Sequence, residues 1–154
     1  MDDIVLAEAI PLDLSAVLID VNGFIAFNNA FHVRGITAVP LWHSLGFAWK
    51  GERALHRLFP ALLPDDVPFA QDALGDQFLL RGDDICRLRS ETGELESLGM
   101  DIQEFLGALI KTPEALLPTQ LVQRFQDDGG HLLPGQLLNV SLRAIPALER
   151  IDFL

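Results

Sequence analysis

Four histidines, one cysteine and a series of carboxylates are the side chains of this 154-residue chain that could do chemistry. His32, His43, His56 and His131 are not spaced two, three or four residues from one another, and neither Cys-x-x-Cys nor His-Glu-x-x-His occurs. Zinc needs ligands at such short spacings, so no metal centre is expected. His43 follows Trp42 at the start of an expected helix, where a structural hydrogen bond accounts for it. Cys86 alternates with Ile85 and Arg87 and is expected to face inward as an inert thiol, since reactive thiols need an electropositive, accessible setting. Asp20-Val21-Asn22-Gly23 echoes a calcium loop but lacks the later oxygen ligands and the glutamate at the twelfth position; a helix ending in Asn-Gly explains it better. Asp65-Asp66 and Asp83-Asp84 are sequence neighbours, expected as solvated turn residues, whereas a hydrolytic pair must converge from separate elements. Nucleophile-elbow, phosphate-loop and dinucleotide patterns are absent from the sequence. No catalytic residue, metal or cofactor is therefore assigned, and an enzyme is not the expected class.

The elements that would position these groups are clearest between Asp72 and Leu109. Gln77–Leu80 and Ile85–Leu88 are apolar runs separated by Arg81-Gly82-Asp83-Asp84, and Glu94–Leu98 alternates after the turn Ser90-Glu91-Thr92-Gly93. Gly and Asp accept the backbone angles of tight hairpins, so three antiparallel strands are expected. Asp101 then caps a helix, with Glu104 three residues on as in a capping box, and Ile102, Phe105, Leu106 and Leu109 share a face. Upstream, Val67–Asp72 reads as a strand leading into this meander. Asp13 is placed to cap a helix over Leu14–Val21 with the stripe Leu14, Val17, Leu18, Val21. Gly23–Phe27 and Phe31–Val33 read as strands around Asn28-Asn29. Ser44 caps a helix to Trp49, and Glu52–Phe59 either continues it or forms a separate turn. Trp49 with Leu45 and Ala48 makes an inward stripe, although Trp42, Phe47 and Trp49 also lie close enough together to form a binding cluster. Pro60, Pro64 and Pro68 make an irregular connection. Pro113 and Pro118 bound two short helices, the second over Thr119–Gln126. Leu137–Val140 is a candidate strand, and Pro146–Leu154 reads as the opening of a last helix.

Composition and charge bound the function. The length fits one domain, residues 1–154, able to bury a core without staples. A single cysteine excludes an internal disulfide. The absence of lysine or arginine before Arg34, and of any span-length apolar run, predicts a cytoplasmic protein; the Asn139 glycosylation sequon is then incidental. The net charge is −11, and residues 61–104 carry eleven acidic against three basic side chains. Such a field repels phosphate backbones and draws basic proteins, so neither nucleic acid nor a membrane is an expected partner. The plain alternative is that these acids keep the domain soluble.

The order of elements, with Gly75-Asp76-Gln77-Phe78 entering the meander and Glu91-Thr92-Gly93-Glu94 turning within it, resembles the SUKH superfamily. The resemblance covers about residues 12–109, takes in Trp42-His43-Ser44-Leu45, and leaves about 112–154 as a helical C-terminal extension. It implies an α+β fold, a mainly antiparallel meander sheet flanked by helices. It also implies a non-enzymatic role, since the family is best known for bacterial immunity proteins against toxins and for a eukaryotic branch regulating cell-wall synthesis. The expected partner is then a basic toxin, such as a nuclease, met by an acidic surface of Asp65, Asp66, Asp72, Asp76, Asp83, Asp84, Glu91, Glu94 and Glu96. Two other readings remain at this level: a small-molecule-binding regulatory scaffold, and a hydrolase with dispersed carboxylates.

Overall fold

Hairpin chemistry sets the sheet. The computed structural model describes residues 6, 9–138 and, as backbone, 144–146. Strands β1 (Phe24–Ala26), β2 (Phe31–Val33), β3 (Val67–Asp72), β4 (Gln77–Arg81), β5 (Asp84–Leu88) and β6 (Leu95–Ser97) form one sheet in that spatial order. Every neighbouring pair is antiparallel. The turn between β1 and β2 runs through positive φ at Phe27, Asn28 and Asn29 (54°, 54° and 69°), angles that asparagine tolerates. Gly82, at φ 61°, closes β4 onto β5 with Arg81 opposite Asp84.

The two faces of this sheet bury different chemistry. One face carries Phe31, Val33, Phe78, Leu80 and Ile85 into the main core. A register shift in β3 between Val67 and Ala70 adds a residue, and Phe69 and Ala70, neighbours in sequence, both join that core. Helices α1 (Leu12–Asp20) and α4 (Ile102–Lys111) contribute Leu14, Leu18, Ile102, Phe105 and Leu109 to the same core. Phe105 is its centre, with ring centroids 5.0 Å from Phe78 and 6.0 Å from both Phe31 and Phe69. On the other face Leu79, Cys86 and Leu88 pack against Ala48 of α2 (Leu45–Lys50), Leu55 of α3 (Leu55–Leu58), Phe59 and Leu62.

The caps follow the sequence in two cases and depart from it in one. Ser44 accepts from the Phe47 amide, and Asp101 and Glu104 form the reciprocal box at the start of α4. Asp13 does not cap α1: Pro11 occupies that position, and Asp13 lies in the first turn, where its charge suits the helix dipole. Val21 likewise leaves the expected stripe, being exposed beyond the helix end.

Beyond α4 come α5 (Pro113–Leu116) and α6 (Thr119–Asp127), and then two strands, β7 (Gln136–Leu138) and β8 (Ala144–Pro146), paired antiparallel. The extension is thus not purely helical, and Pro146 ends a strand rather than opening a helix; the expected positions 139–140 and 147–154 lie outside the described residues. No helix among the described residues is long and apolar enough to cross a membrane.

Replacing Phe105 by alanine removes the ring that three other phenylalanines meet. A loss of about 3–5 kcal/mol is expected from transfer and cavity terms together. Urea denaturation of the variant checks it; a loss below ~1 kcal/mol would show that the core closes over the gap.

Candidate functional site

The register of β2, β3 and β4 places a row of polar side chains on the second face. His32 lies opposite Gln71, and Gln71 opposite Gln77. Arg34, one residue past β2, is buried against them. Its Nη1 donates to the Pro68 carbonyl at 2.6 Å, and its Nη2 to the side-chain oxygens of Gln77 at 2.7 Å and Gln71 at 3.2 Å. Burial lowers Arg34 to about 10, which still leaves it cationic at neutral pH. The amide of Gln77 donates onward to Gln71 Oε1 and to the Gly75 carbonyl.

This row fixes the histidines. Gln71 Nε2 faces His32 Nδ1 at 3.4 Å, His32 Nε2 faces His43 Nδ1 at 2.7 Å, and His43 Nε2 faces the Asn22 carbonyl at 3.3 Å. An amide NH2 can only donate and a carbonyl can only accept, so both rings are neutral Nε2–H tautomers and the chain of donors runs one way. Burial first, then the Arg34 charge and the closeness of the His43 ring, hold His32 down to about 3. The His43 ring lies between Gly23 and Gly35, where an added Cβ would fall 2.5 Å and 2.8 Å from its atoms. Trp42 packs over the pair, 5.3 Å from His32 and 5.6 Å from His43 between centroids, and meets the backbone of Gly135 on its way to β7. A cavity of about 10 Å³, bounded by His32, Gln71, Asp72 and Gln136, closes the arrangement.

Proximity of the two histidines is the feature that the sequence reading missed. They are eleven residues apart on different elements, so no linear spacing signals them. The structural hydrogen bond expected of His43 is present. Cys86 is buried as expected, and burial together with Asp84 pushes its thiol up to about 11. Asn22 bonds the backbone of Ile36 through both ends of its amide, the work of a turn residue rather than of a calcium ligand. Among the described residues no group of three or more His, Cys, Asp or Glu side chains is placed to hold a metal ion.

The nine acids expected on one surface divide. Asp66, Asp72 and Asp76 are buried, which corrects their surface assignment. Asp66 accepts from Arg81 at 2.7 and 2.9 Å and from the Leu63 amide. Asp76 accepts from the amide and hydroxyl of Ser90. Asp72 accepts from the amides of Leu74 and Asp76. Asp66 and Asp72 cap amides two to four residues away, while Asp76 reaches Ser90 across 14 positions, roles that composition does not reveal. Asp84 is half-buried and bonded to Ser97, while Asp65, Asp83, Glu91, Glu94 and Glu96 are exposed. Glu94 and Glu96 flank a groove of about 410 Å³ with Leu95, Ala61 and Arg89.

A second recess lies on the first face. Asp72, Asp76, Arg87 and Arg89 line a cleft of about 200 Å³ against Ala115–Pro118. Burial and the Asp76 carboxylate push Asp72 up to about 7, with the two amide bonds and Arg87 opposing.

Comparison of the chain with protein-family models, curated proteins and solved structures gives no match.

His32 and Asp72 bend stability with pH in opposite senses. Between about 4 and 7 folded Asp72 keeps a proton that the unfolded chain has released, so its contribution falls as pH rises. Between about 3 and 6.5 unfolded His32 takes up a proton that the folded ring refuses, so its contribution rises with pH. Asp72→Asn retains an acceptor for both amides and removes only the first effect. The variant's stability relative to the parent should therefore grow from pH 4 to 7, by at most about 1.4 kcal/mol per pH unit. Urea titrations at pH 4.5 and 7 read this directly, and a pH-independent difference would contradict the buried, protonated carboxyl.

Proposed function

We propose that the chain is a non-enzymatic protein-binding domain of the SUKH type, an immunity protein that neutralises a basic toxin through an acidic surface. The observation that carries the reading is the division of the acids. Three are consumed in buried caps, while Asp65, Asp83, Glu91, Glu94 and Glu96 stay at the surface, two of them flanking the groove beside the short edge strand β6. Among the described residues Asp65, Asp83 and Glu94 enter no ion pair, so their field is not neutralised locally. A meander followed by a box-capped helix, the order on which the family resemblance rests, supports the same assignment.

The groups that could have argued for catalysis are engaged elsewhere. The histidine pair is engaged by Gln71 and the Asn22 carbonyl, and the Cys86 thiol is pushed away from its nucleophilic state. A nuclease holds phosphates with basic side chains; an acidic face opposite that cleft competes for the same cations and accelerates encounter at low ionic strength.

The test begins with the neighbouring genes: a toxin gene beside this one supplies the binding partner to assay, and its absence counts against immunity. Asp65→Lys, Asp83→Lys, Glu94→Lys and Glu96→Lys combined should slow association at least about tenfold at low salt, with the gap narrowing as ionic strength rises. Stopped-flow binding measures the rate and co-expression measures protection of the cell. Equal rates for parent and variant would rule out the acidic face. Asp66→Asn, by contrast, should lower stability and leave the association rate of the folded protein unchanged.

A further inference from the structure

Arg87 is the one described side chain with a buried nitrogen lacking a partner. The residue is 8% exposed, its Nε meets no acceptor, and its guanidinium rests over the Phe78 ring at 4.9 Å. It donates no hydrogen bond to any described residue, although it lines the cleft below α5. Arg89, two positions on, lines the same cleft, and its contacts to Asp76 and Glu96 are long, at 3.5 and 3.4 Å. The cleft's carboxylates face the opposite situation: Asp72 and Asp76 already accept from backbone amides and from Ser90. Donor capacity on Arg87 thus stays unused although two carboxylates share the cleft with it. Leu74, Leu116 and Leu117 supply apolar walls.

From this imbalance we infer that the cleft binds a small carboxylic acid with a short apolar substituent, its carboxylate held by Arg87 and Arg89. Guanidinium forks match planar carboxylates, and with the Phe78 ring beneath Arg87 and its Nε enclosed, the Nη groups are the ones left to a ligand. The volume of about 200 Å³ lies below the ~300–1,000 Å³ of sites for drug-sized molecules, which sets the ligand at the size of a simple metabolite. The site adjoins the acidic face through Arg89, which also lines the groove of Glu94 and Glu96, but Asp65, Asp83 and Glu94 take no part in it.

The experiment is an NMR titration of the full chain with N-acetyl-leucine, observing arginine Nε–H signals and the amides of Ala115, Leu116 and Leu117. Saturable shifts at Arg87 and at those amides are expected. Arg89→Gln, at an exposed side chain whose contacts to Asp76 and Glu96 are long, should weaken binding about tenfold or more, and Arg87→Lys should do the same. N-acetyl-leucinamide, which lacks the carboxylate, should leave the signals unmoved. Absence of saturation, equal shifts with the amide, or unchanged affinity in Arg89→Gln would overturn the proposal. Displacement of N-acetyl-leucine by an equal concentration of inorganic phosphate would overturn its carboxylate preference.

Discussion

A buried cation with only neutral acceptors organises the second face of the sheet. Arg34 is withdrawn from water, an arrangement that costs several kcal/mol per ion unless its N–H groups are satisfied. Pro68, Gln71 and Gln77 supply the acceptors, and they sit on two different strands. The guanidinium therefore bridges β2, β3 and β4 by a geometry that depends on their mutual register. A slip of one residue would turn Gln71 to the apolar core and leave the charge unsatisfied. Leucines at these positions would bury comparable area without any such penalty for misalignment, so the polar row provides registry more than adhesion.

From that row the directionality passes to the histidines. Gln71 is held by Arg34 and Gln77, and in turn presents a donor to His32; the pair then has one proton arrangement rather than several. Low dielectric strengthens each link and makes each broken link costly. The first face shows the opposite state. There Arg87 has a π surface beneath it and a buried Nε without a hydrogen-bond partner, although Asp72 and Asp76 share its cleft. One sheet thus carries a satisfied arginine on one side and an unsatisfied one on the other, and only the second has bonding capacity left to offer a ligand.

Local rules recovered much of the backbone. The hairpins around Gly82 and Asn28-Asn29, the box of Asp101 and Glu104, and the inward Cys86 follow from properties of a few adjacent residues. Failures came where meaning depends on what lies across the sheet. Asp66, Asp72 and Asp76 have the same composition as the exposed acids, yet their oxygens cap backbone amides, which needs the fold of Leu63, Leu74 and Ser90 to be known. His32 and His43 meet only because β2 and the 3-10 turn Leu41–His43 converge. Asp13 lost its capping role because Pro11, already extended, starts the helix two residues earlier than an Asp signal suggests. Of the paired strands after α6, the first is legible as the candidate over Leu137–Val140, whereas the second ends at Pro146, a residue that reads as a helix opening until its pairing with Gln136 is known.

Synthesis order gives one junction a particular meaning. Asn29 donates to the Leu132 carbonyl across 103 positions, the Leu138 amide donates to Ala73 at 2.6 Å, and Trp42 rests on Gly135. A ribosome releases the amino-terminal hairpin long before residues 132–138 leave the exit tunnel. During that interval the indole and the imidazoles beneath it have no cover, so the nascent chain keeps a wet, open end until residues 132–138 emerge and close it.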